Sequence, residues 1–375
     1  VNVLRHGFKH RGQEFKVIYF KPETELNQLS LARYNQNICQ CIRQWHYSPK
    51  NKNSVDMMLA VNGIPLVAIE LKDQLTGQNV DNAITQWMTD RDPREDAFQF
   101  NRRILIYFAV DLYRVAMTTR LQGTKTWFLP FNQGSNGPGV DGGAGNPQNA
   151  AGSYVTSYLW EDVLQKDHFL DILQKFISYQ KETKKVIMPD GKTQINITEK
   201  LIFPRYHQLD VVRKLVQHTK DNGPGHNYLI QHSAGSGKSN SIAWTAYRLA
   251  SLHDEQNRAI YSSVIIVTDR KVLDSQLQDT INGFDHTLGS VVLIDEKKSS
   301  KDLLKAVKDG KRIIVTTLQK FPVIYDLVGD TTGKSFANIA KARHWRTGSV
   351  NTLTSSSLPK SRRASRFITS ALQTP

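Results

Sequence analysis

The sequence predicts a two-domain α/β protein, and three observations carry that expectation. Short apolar runs recur between stretches of helical period, Gly-, Asn- and Pro-rich segments separate them, and one glycine-rich turn directly follows such a run and opens into a helix. Strands alternating with helices imply parallel strands joined by crossovers. At 375 residues the chain is long enough to bury two cores. Its 39% hydrophobic and 22% charged residues are those of a folded globular protein.

In the first part, residues 55–61 (VDMMLAV) and 64–71 (IPLVAIEL) are strand-like runs separated by Asn62-Gly63, the dipeptide favoured in tight hairpins. Residues 103–110 (RILIYFAV) predict a further buried strand. Residues 132–153 are too rich in Gly, Asn and Pro for a regular element and are expected as an exposed or disordered loop. Apolar residues at largely helical spacing over 158–177 predict a helix that closes a domain covering 1–180. The polar stretch 181–200, with Pro189-Asp190-Gly191 as a turn, is expected as a linker. A second domain, 201–337, has strands at 228–231 (YLIQ), 264–268 (VIIVT) and 313–317 (IIVTT), with a helix starting near Lys238. From 338 to 375 the chain becomes a basic, Ser/Thr-rich tail without a sustained period, expected to be disordered.

Several classes are excluded. No run of eighteen apolar residues could span a membrane, and the N-terminus carries no secretory pattern. The chain does not start with Met, which reads as a beginning inside a longer protein. Cys39 and Cys41, one residue apart, suit neither a disulfide nor a zinc site and fit a reducing cytoplasm. A net charge of +15 points toward a polyanion. From Lys334 onward there are eight Lys/Arg and no acids, however, leaving a modest +7 on the first 333 residues.

The most specific local signal is Gly235-Ser236-Gly237-Lys238-Ser239, directly after YLIQ. Glycines let backbone N–H groups curl around phosphates, Lys238 reaches the terminal phosphates of ATP, and the Ser239 hydroxyl suits Mg2+. His232 stands where the full pattern has a further Gly. Upstream, the run Phe203 to Gln208 resembles the adenine-reading motif of superfamily 2 helicases, which makes Gln208 a nucleotide contact. Thr268-Asp269-Arg270 and the run Thr316 to Phe321 resemble strand-end motifs that grip a DNA backbone, with Arg270, Thr316 and Lys320 as the contacts. Asp295-Glu296 after four apolar residues imitates a magnesium-positioning motif, but it precedes the Thr-Thr strand, whereas these motors place theirs after it.

In the first domain Asp56 opens one strand of the expected hairpin and Glu70-Leu71-Lys72 ends the other. Positions two apart on a strand share a face, and a twisted hairpin would bring Asp56 beside them. Two carboxylates for Mg2+ and one lysine are what metal-assisted phosphodiester hydrolysis needs. The pattern resembles the PD-(D/E)xK nuclease fold. Gln86 resembles the start of a Gln-x-x-x-Tyr motif found beside such nucleases, with Asp90 in place of the Tyr.

A Glu-x-Lys nuclease followed by the start of a superfamily 2 motor resembles the restriction subunit of type I restriction-modification systems. NVLRHGFKHRG, VNGIPLVAIELK, DRDPRE, FLPFNQG with GAGNP, RYHQLDVV, HSAGSGKS, VTDR and TTLQKFP carry that resemblance as far as Ala337. It implies a nuclease domain followed by a partial RecA-like domain, cutting by Asp56, Glu70 and Lys72, and ATP held by Gly235 to Ser239. It also implies double-stranded DNA as substrate, methyltransferase and specificity subunits as partners, and ATP-driven translocation. The apolar strand ending Asp-Glu-x-His that should follow the Thr-Thr strand does not occur. The resemblance therefore implies a truncation or frameshift near Ala337, and a chain unable to hydrolyse ATP alone. Two other readings are a helicase-type ATPase with an inert nuclease domain, and a non-catalytic remnant that binds DNA or the methyltransferase complex.

Overall fold

The computed structural model describes residues 1–23, 26–134, 144–147, 154–187, 193–233, 235–268, 280–281, 291–294, 298–320 and 368–372. The chain divides into two compact units, Val1–His207 and Gln208–Pro375.

The first unit begins with helix α1 (Asn2–His6), the ribbon of β1 (Phe8–His10) with β2 (Gln13–Phe15), and α2 (Gln28–Asn35). Its centre is a six-stranded sheet of β3 (Cys39–His46), β4 (Ser54–Val61), β5 (Ile64–Leu71), β6 (Ile106–Val110), β7 (Val115–Thr118) and β8 (Leu129–Pro130), lying in that order. All neighbours are antiparallel except β5 and β6, which run parallel. The expected hairpin is β4–β5. Asn62 and Gly63 have φ of 51° and 78°, the positive pair that a two-residue turn matching strand twist requires. Asn62 also ties the turn down, because its side chain accepts from Ile38 N and donates to Val17 O, each at 2.8 Å.

A parallel neighbour for β5 demands a crossover, and helix α3 (Val80–Thr89) supplies it. Asn79 caps α3 through the N–H groups of Asp81 and Asn82. The carboxylate of Asp111, just past β6, accepts from Val80 N at 2.8 Å and so fixes the helix start to the end of the strand. The buried face of α3 packs Val80, Ala83 and Trp87 onto Val55, Met58 and Ala68 of the hairpin. Trp87 meets Tyr107 edge-on at 5.2 Å between ring centroids, and its indole N–H donates to Phe108 O at 3.0 Å.

Two expectations need correction in this unit. The helix expected over 158–177 is interrupted: a turn at Leu159–Val163 precedes α4 (Lys166–Lys175). Gln165 adopts an extended conformation between them, its side chain capping α4. The stretch expected as a linker at 181–200 belongs to a long antiparallel hairpin of β9 (Ser178–Ile187) and β10 (Thr193–Ile202). Its β-branched Ile, Val and Thr residues favour pairing despite the polar composition. Residues 132–134 and 144–147 of the expected loop are outside regular elements but are pinned, with Asn132 accepting from Val115 N and Asn146 from Gln133 N, each at 2.8 Å.

The second unit contains α5 (Tyr206–Asn222), which begins just before the boundary, and α6 (Lys238–Ala250). Strands β11 (Ser263–Thr268), β12 (Val291–Leu293) and β13 (Ile313–Thr317) are mutually parallel in the order β12-β13-β11, and α7 (Ser300–Lys308) lies between the last two in sequence. The strand expected at 228–231 is not formed. No neighbouring strand pairs with it among the described residues, and Leu229 is 81% exposed. Within the tail expected to be disordered, Ile368–Leu372 forms β14, antiparallel to β11. Residues 338–367 lie outside the described residues.

Because Trp87 is fully buried and fills the space between crossover and sheet, Trp87→Ala is predicted to destabilise the first unit by about 3–5 kcal/mol. Urea unfolding checks this, and a loss under about 1 kcal/mol would show that α3 is not a core element.

Candidate functional site

The ends of β4 and β5 hold the first candidate site. The pairs Met57↔Ile69 and Met58↔Ala68 set a register that, continued one step, puts Asp56 across from Glu70. Directly opposed residues of an antiparallel pair share a face. Asp56 is held through both oxygens: Oδ2 accepts from Leu71 N at 2.8 Å and Oδ1 from Gln44 Nε2 at 3.1 Å. Glu70 is fully buried, with Oε1 accepting from Arg91 Nε at 2.8 Å and from the Arg91 Nη2 at 2.6 Å. Its Oε2 is also buried and has no hydrogen-bond donor among the described residues. Burial, opposed by Arg91 and reinforced by neighbouring Asp56, pushes the Glu70 carboxyl up to about 7. Lys72 continues the strand, with its N–H donating to Val110 O at 2.8 Å, and its Nζ donates to Gln86 Oε1 at 2.6 Å.

Asp56, Glu70 and Lys72 are thus brought to one strand end, and Gln86, whose motif lacks its Tyr, reaches the lysine from α3. Two contributors went unread. Arg91 stands in the DRDPRE run, but nothing in its spacing says that it pairs with Glu70 across the crossover. Gln44 has a positive φ of 47°, sparsely populated for such a residue; the conformation goes with its bonds to Asp56 and to the Ser54 hydroxyl. A buried oxygen without a donor, beside a second carboxylate, is the donor set of a divalent cation. Among the described residues no cluster of three His, Cys, Asp or Glu side chains is arranged to hold a metal, so a cation here would draw its side-chain ligands from Asp56 and Glu70.

The second site is the glycine-rich loop. Gly235 and Gly237 have φ of 74° and 79°, and Gly237 caps the N-terminus of α6. Lys238 Nζ donates to the loop carbonyls of Ser233 at 2.9 Å and His232 at 3.3 Å. Ser236 is buried and Ser239 half-buried in the first turn region. Gln208, expected to meet adenine, is 3% exposed, and its Nε2 donates to Ser236 O at 3.1 Å and Gly237 O at 2.9 Å. A Cβ on Gly237 would sit 2.4 Å from that nitrogen. Glycine is favoured there by φ, and any Cβ would also have to push aside the end of the Gln208 side chain.

Of the expected DNA contacts, Arg270 lies outside the described residues, as do Asp295 and Glu296. Thr316 departs from the expected exposed contact: it is fully buried within β13, and its hydroxyl has no hydrogen-bond partner among the described residues. Lys320 is half-buried and donates to Lys298 O at 2.6 Å.

Two family models match the chain in the same order as these sites. The model for the type I restriction enzyme R protein N terminus covers residues 11–126, and that for the SWI2/SNF2 ATPase covers 207–344. Over these two segments the chain is similar to type I restriction enzyme R proteins and to SWI2/SNF2 ATPases. It is 26% identical over 300 residues to the SsaAORF53P endonuclease subunit of Staphylococcus saprophyticus, covering 80% of this chain and 27% of that protein. Over 279 residues it is 26% identical to the HindI endonuclease subunit of Haemophilus influenzae, covering 72% and 24%. A putative subunit from Methanocaldococcus jannaschii, MjaIXP, is 21% identical over 338 residues, covering 86% and 29%. The chain spans about a quarter of the length of these relatives. The ATPase match carries the family past Ala337, where the sequence reading had ended it. Among the described residues, no helix is long and apolar enough to cross a membrane.

Glu70 generates a pH prediction. Its folded pKa lies above the ordinary carboxylate value of 4.5, so below that value its contribution is fully present, and it is lost as pH rises toward about 7. Metal-free wild type is predicted to lose roughly 2–3 kcal/mol relative to Glu70→Gln between pH 4.5 and 8; parallel pH dependences in denaturant unfolding would contradict this. Gly237→Ala is predicted to weaken binding of a fluorescent ATP analogue about tenfold or more, from roughly 1–3 kcal/mol of backbone strain plus the contact with Gln208. Unchanged affinity would mean that the loop does not receive the phosphates.

Proposed function

We propose that this chain carries the DNA-cutting centre and the ATP-binding start of the motor of a type I restriction subunit. The observation that carries the reading is Glu70 Oε2, a buried carboxylate oxygen without a donor, placed across a hairpin from Asp56 and two residues from Lys72. The carboxylate–carboxylate–lysine set on adjacent strands supports a PD-(D/E)xK nuclease fold. The parallel β12-β13-β11 strands with the loop before α6 support a RecA-like motor domain.

Asp56 and Glu70 would hold Mg2+, and Leu71 N keeps one oxygen of Asp56 fixed while it does so. When bound, the ion supplies Lewis acidity toward the scissile phosphate and lowers the pKa of its water. Lys72, oriented by Gln86, places a cation beside the phosphate and orients the attacking water. In the second unit the loop's N–H groups and the N-terminus of α6 would take the phosphates of ATP, with Lys238 leaving the carbonyls of His232 and Ser233 for the terminal phosphates. Gln208 braces the loop through its bonds to the Ser236 and Gly237 carbonyls, and the motif it stands in would set it near the adenine. In the complete enzyme, with methyltransferase and specificity subunits, ATP-driven translocation of double-stranded DNA would precede cutting. Such steps would take place in the cytoplasm, where the DNA to be restricted is met.

The test is conversion of supercoiled plasmid to nicked or linear DNA by the purified chain with Mg2+. Glu70→Ala is predicted to abolish it, and Lys72→Ala to slow it by about a hundredfold or more. Cutting that survives both variants would sink the assignment and favour an inert nuclease domain beside an ATPase.

A further inference from the structure

Arg91 is the one buried cation at the carboxylate site, and its geometry is unlike that of a cation standing in for a metal. It lies just past the C-terminal cap of α3, with its guanidinium 5.6 Å from the centre of the Tyr47 ring. An arginine that filled a metal position would face the carboxylate fork to fork, giving one donor to each oxygen. Here both donors, Nε and Nη2, converge on Oε1, and Nη2 also donates to Ser54 O at 2.8 Å. Ser54 opens β4 two residues before Asp56. One side chain therefore ties the start of β4, the end of β5 and the end of the crossover together, and it spends all its contact with Glu70 on a single oxygen.

The consequence falls on the other oxygens. Both oxygens of Asp56 have a donor, from Leu71 N and Gln44 Nε2. Glu70 Oε1 has two. Only Glu70 Oε2 is left without one, buried next to Asp56. We propose that Arg91 is a positioning residue for the divalent cation held by Asp56 and Glu70, taking up Oε1 from one side so that Oε2 is presented as the buried ligand. The inference rests on the nuclease reading of the site. A lysine at 91 keeps the charge but lacks the rigid fork that gives two donors to Oε1 and one to Ser54 O at once. The fixed charge also offsets the repulsion between two adjacent carboxylates, so the pair stays close enough to share one ion.

Binding of Mn2+ to the DNA-free, nucleotide-free chain, followed by loss of the free-ion paramagnetic resonance signal, tests this without activity as the readout. Wild type is expected to bind one Mn2+ that Glu70→Gln abolishes. Arg91→Lys is expected to keep that stoichiometry and weaken affinity by about tenfold to a hundredfold, as loss of partners behind metal ligands does. Affinity equal to or tighter than wild type in Arg91→Lys would overturn the inference while leaving the nuclease reading intact. A wild-type chain with no Glu70-dependent Mn2+ would overturn the reading of the site, and the inference with it. Should Arg91→Lys fail to fold, Tyr47→Leu decides: it loosens the guanidinium without touching a carboxylate and is expected to weaken Mn2+ several-fold, and an unchanged affinity overturns the role of Arg91.

Discussion

The burial of Glu70 sets terms that much of the first unit has to meet. β5 is otherwise apolar and sits inside the sheet, yet its penultimate residue is a carboxylate with no exposed surface. Taking an ionised carboxylate out of water costs several kcal/mol even after relaxation, and the loss is offset only where geometry and hydrogen bonding are good. Arg91 meets that need, reaching back from just past α3 to Glu70 near the end of β5. That placement depends in turn on the cap at Asn79, on Asp111 holding the first turn of the helix, and on Trp87 filling the space between helix and strands. A local charge is thus balanced by a chain of contacts that runs through the whole crossover.

Much of this site was legible in the residues. Asn62-Gly63 announced the hairpin, and once the hairpin is granted, period-two alternation puts Glu70 and Lys72 on one face with Asp56 opposite. What stayed hidden depends on distance along the chain. Arg91 is one of many arginines until α3 brings it back across the sheet. Gln44 is invisible because its role depends on a positive φ that no sequence pattern announces. The polar segment from 181 to 200 was misread for the opposite reason: charge content suggested a linker, while its β-branched residues pair as β9 and β10.

In the second unit the strands with continuous apolar runs, VIIVT and IIVTT, formed where expected, since full burial leaves little else for such runs to do. YLIQ has the same character but no paired neighbour among the described residues, and hydrophobicity alone does not make a strand. Thr316 shows the limit of reasoning from strand ends. The run reads as polar where the sheet should meet its ligand, yet the side chain is enclosed. At the glycine-rich loop the motif predicted the residues, but the bracing of its carbonyls by Gln208 is a tertiary fact. It gives a residue expected to read a base a second connection, to the glycine-rich loop itself.

The parallel pairing of β5 with β6 has a consequence for the order in which the molecule can assemble. Hairpin β4–β5 is local and can close as soon as its turn exists, whereas Arg91 arrives only with the returning crossover, whose closure carries a larger entropic penalty. During synthesis there is an interval in which Asp56 and Glu70 have emerged from the ribosome and their counterion has not. In that interval the hairpin cannot bury Glu70 as an anion, so the end of β5 stays hydrated until α3 docks. The carboxylate pair is therefore among the last parts of its sheet to become dry, and a nascent chain that stalls before residue 91 holds both carboxylates without the guanidinium that orders them.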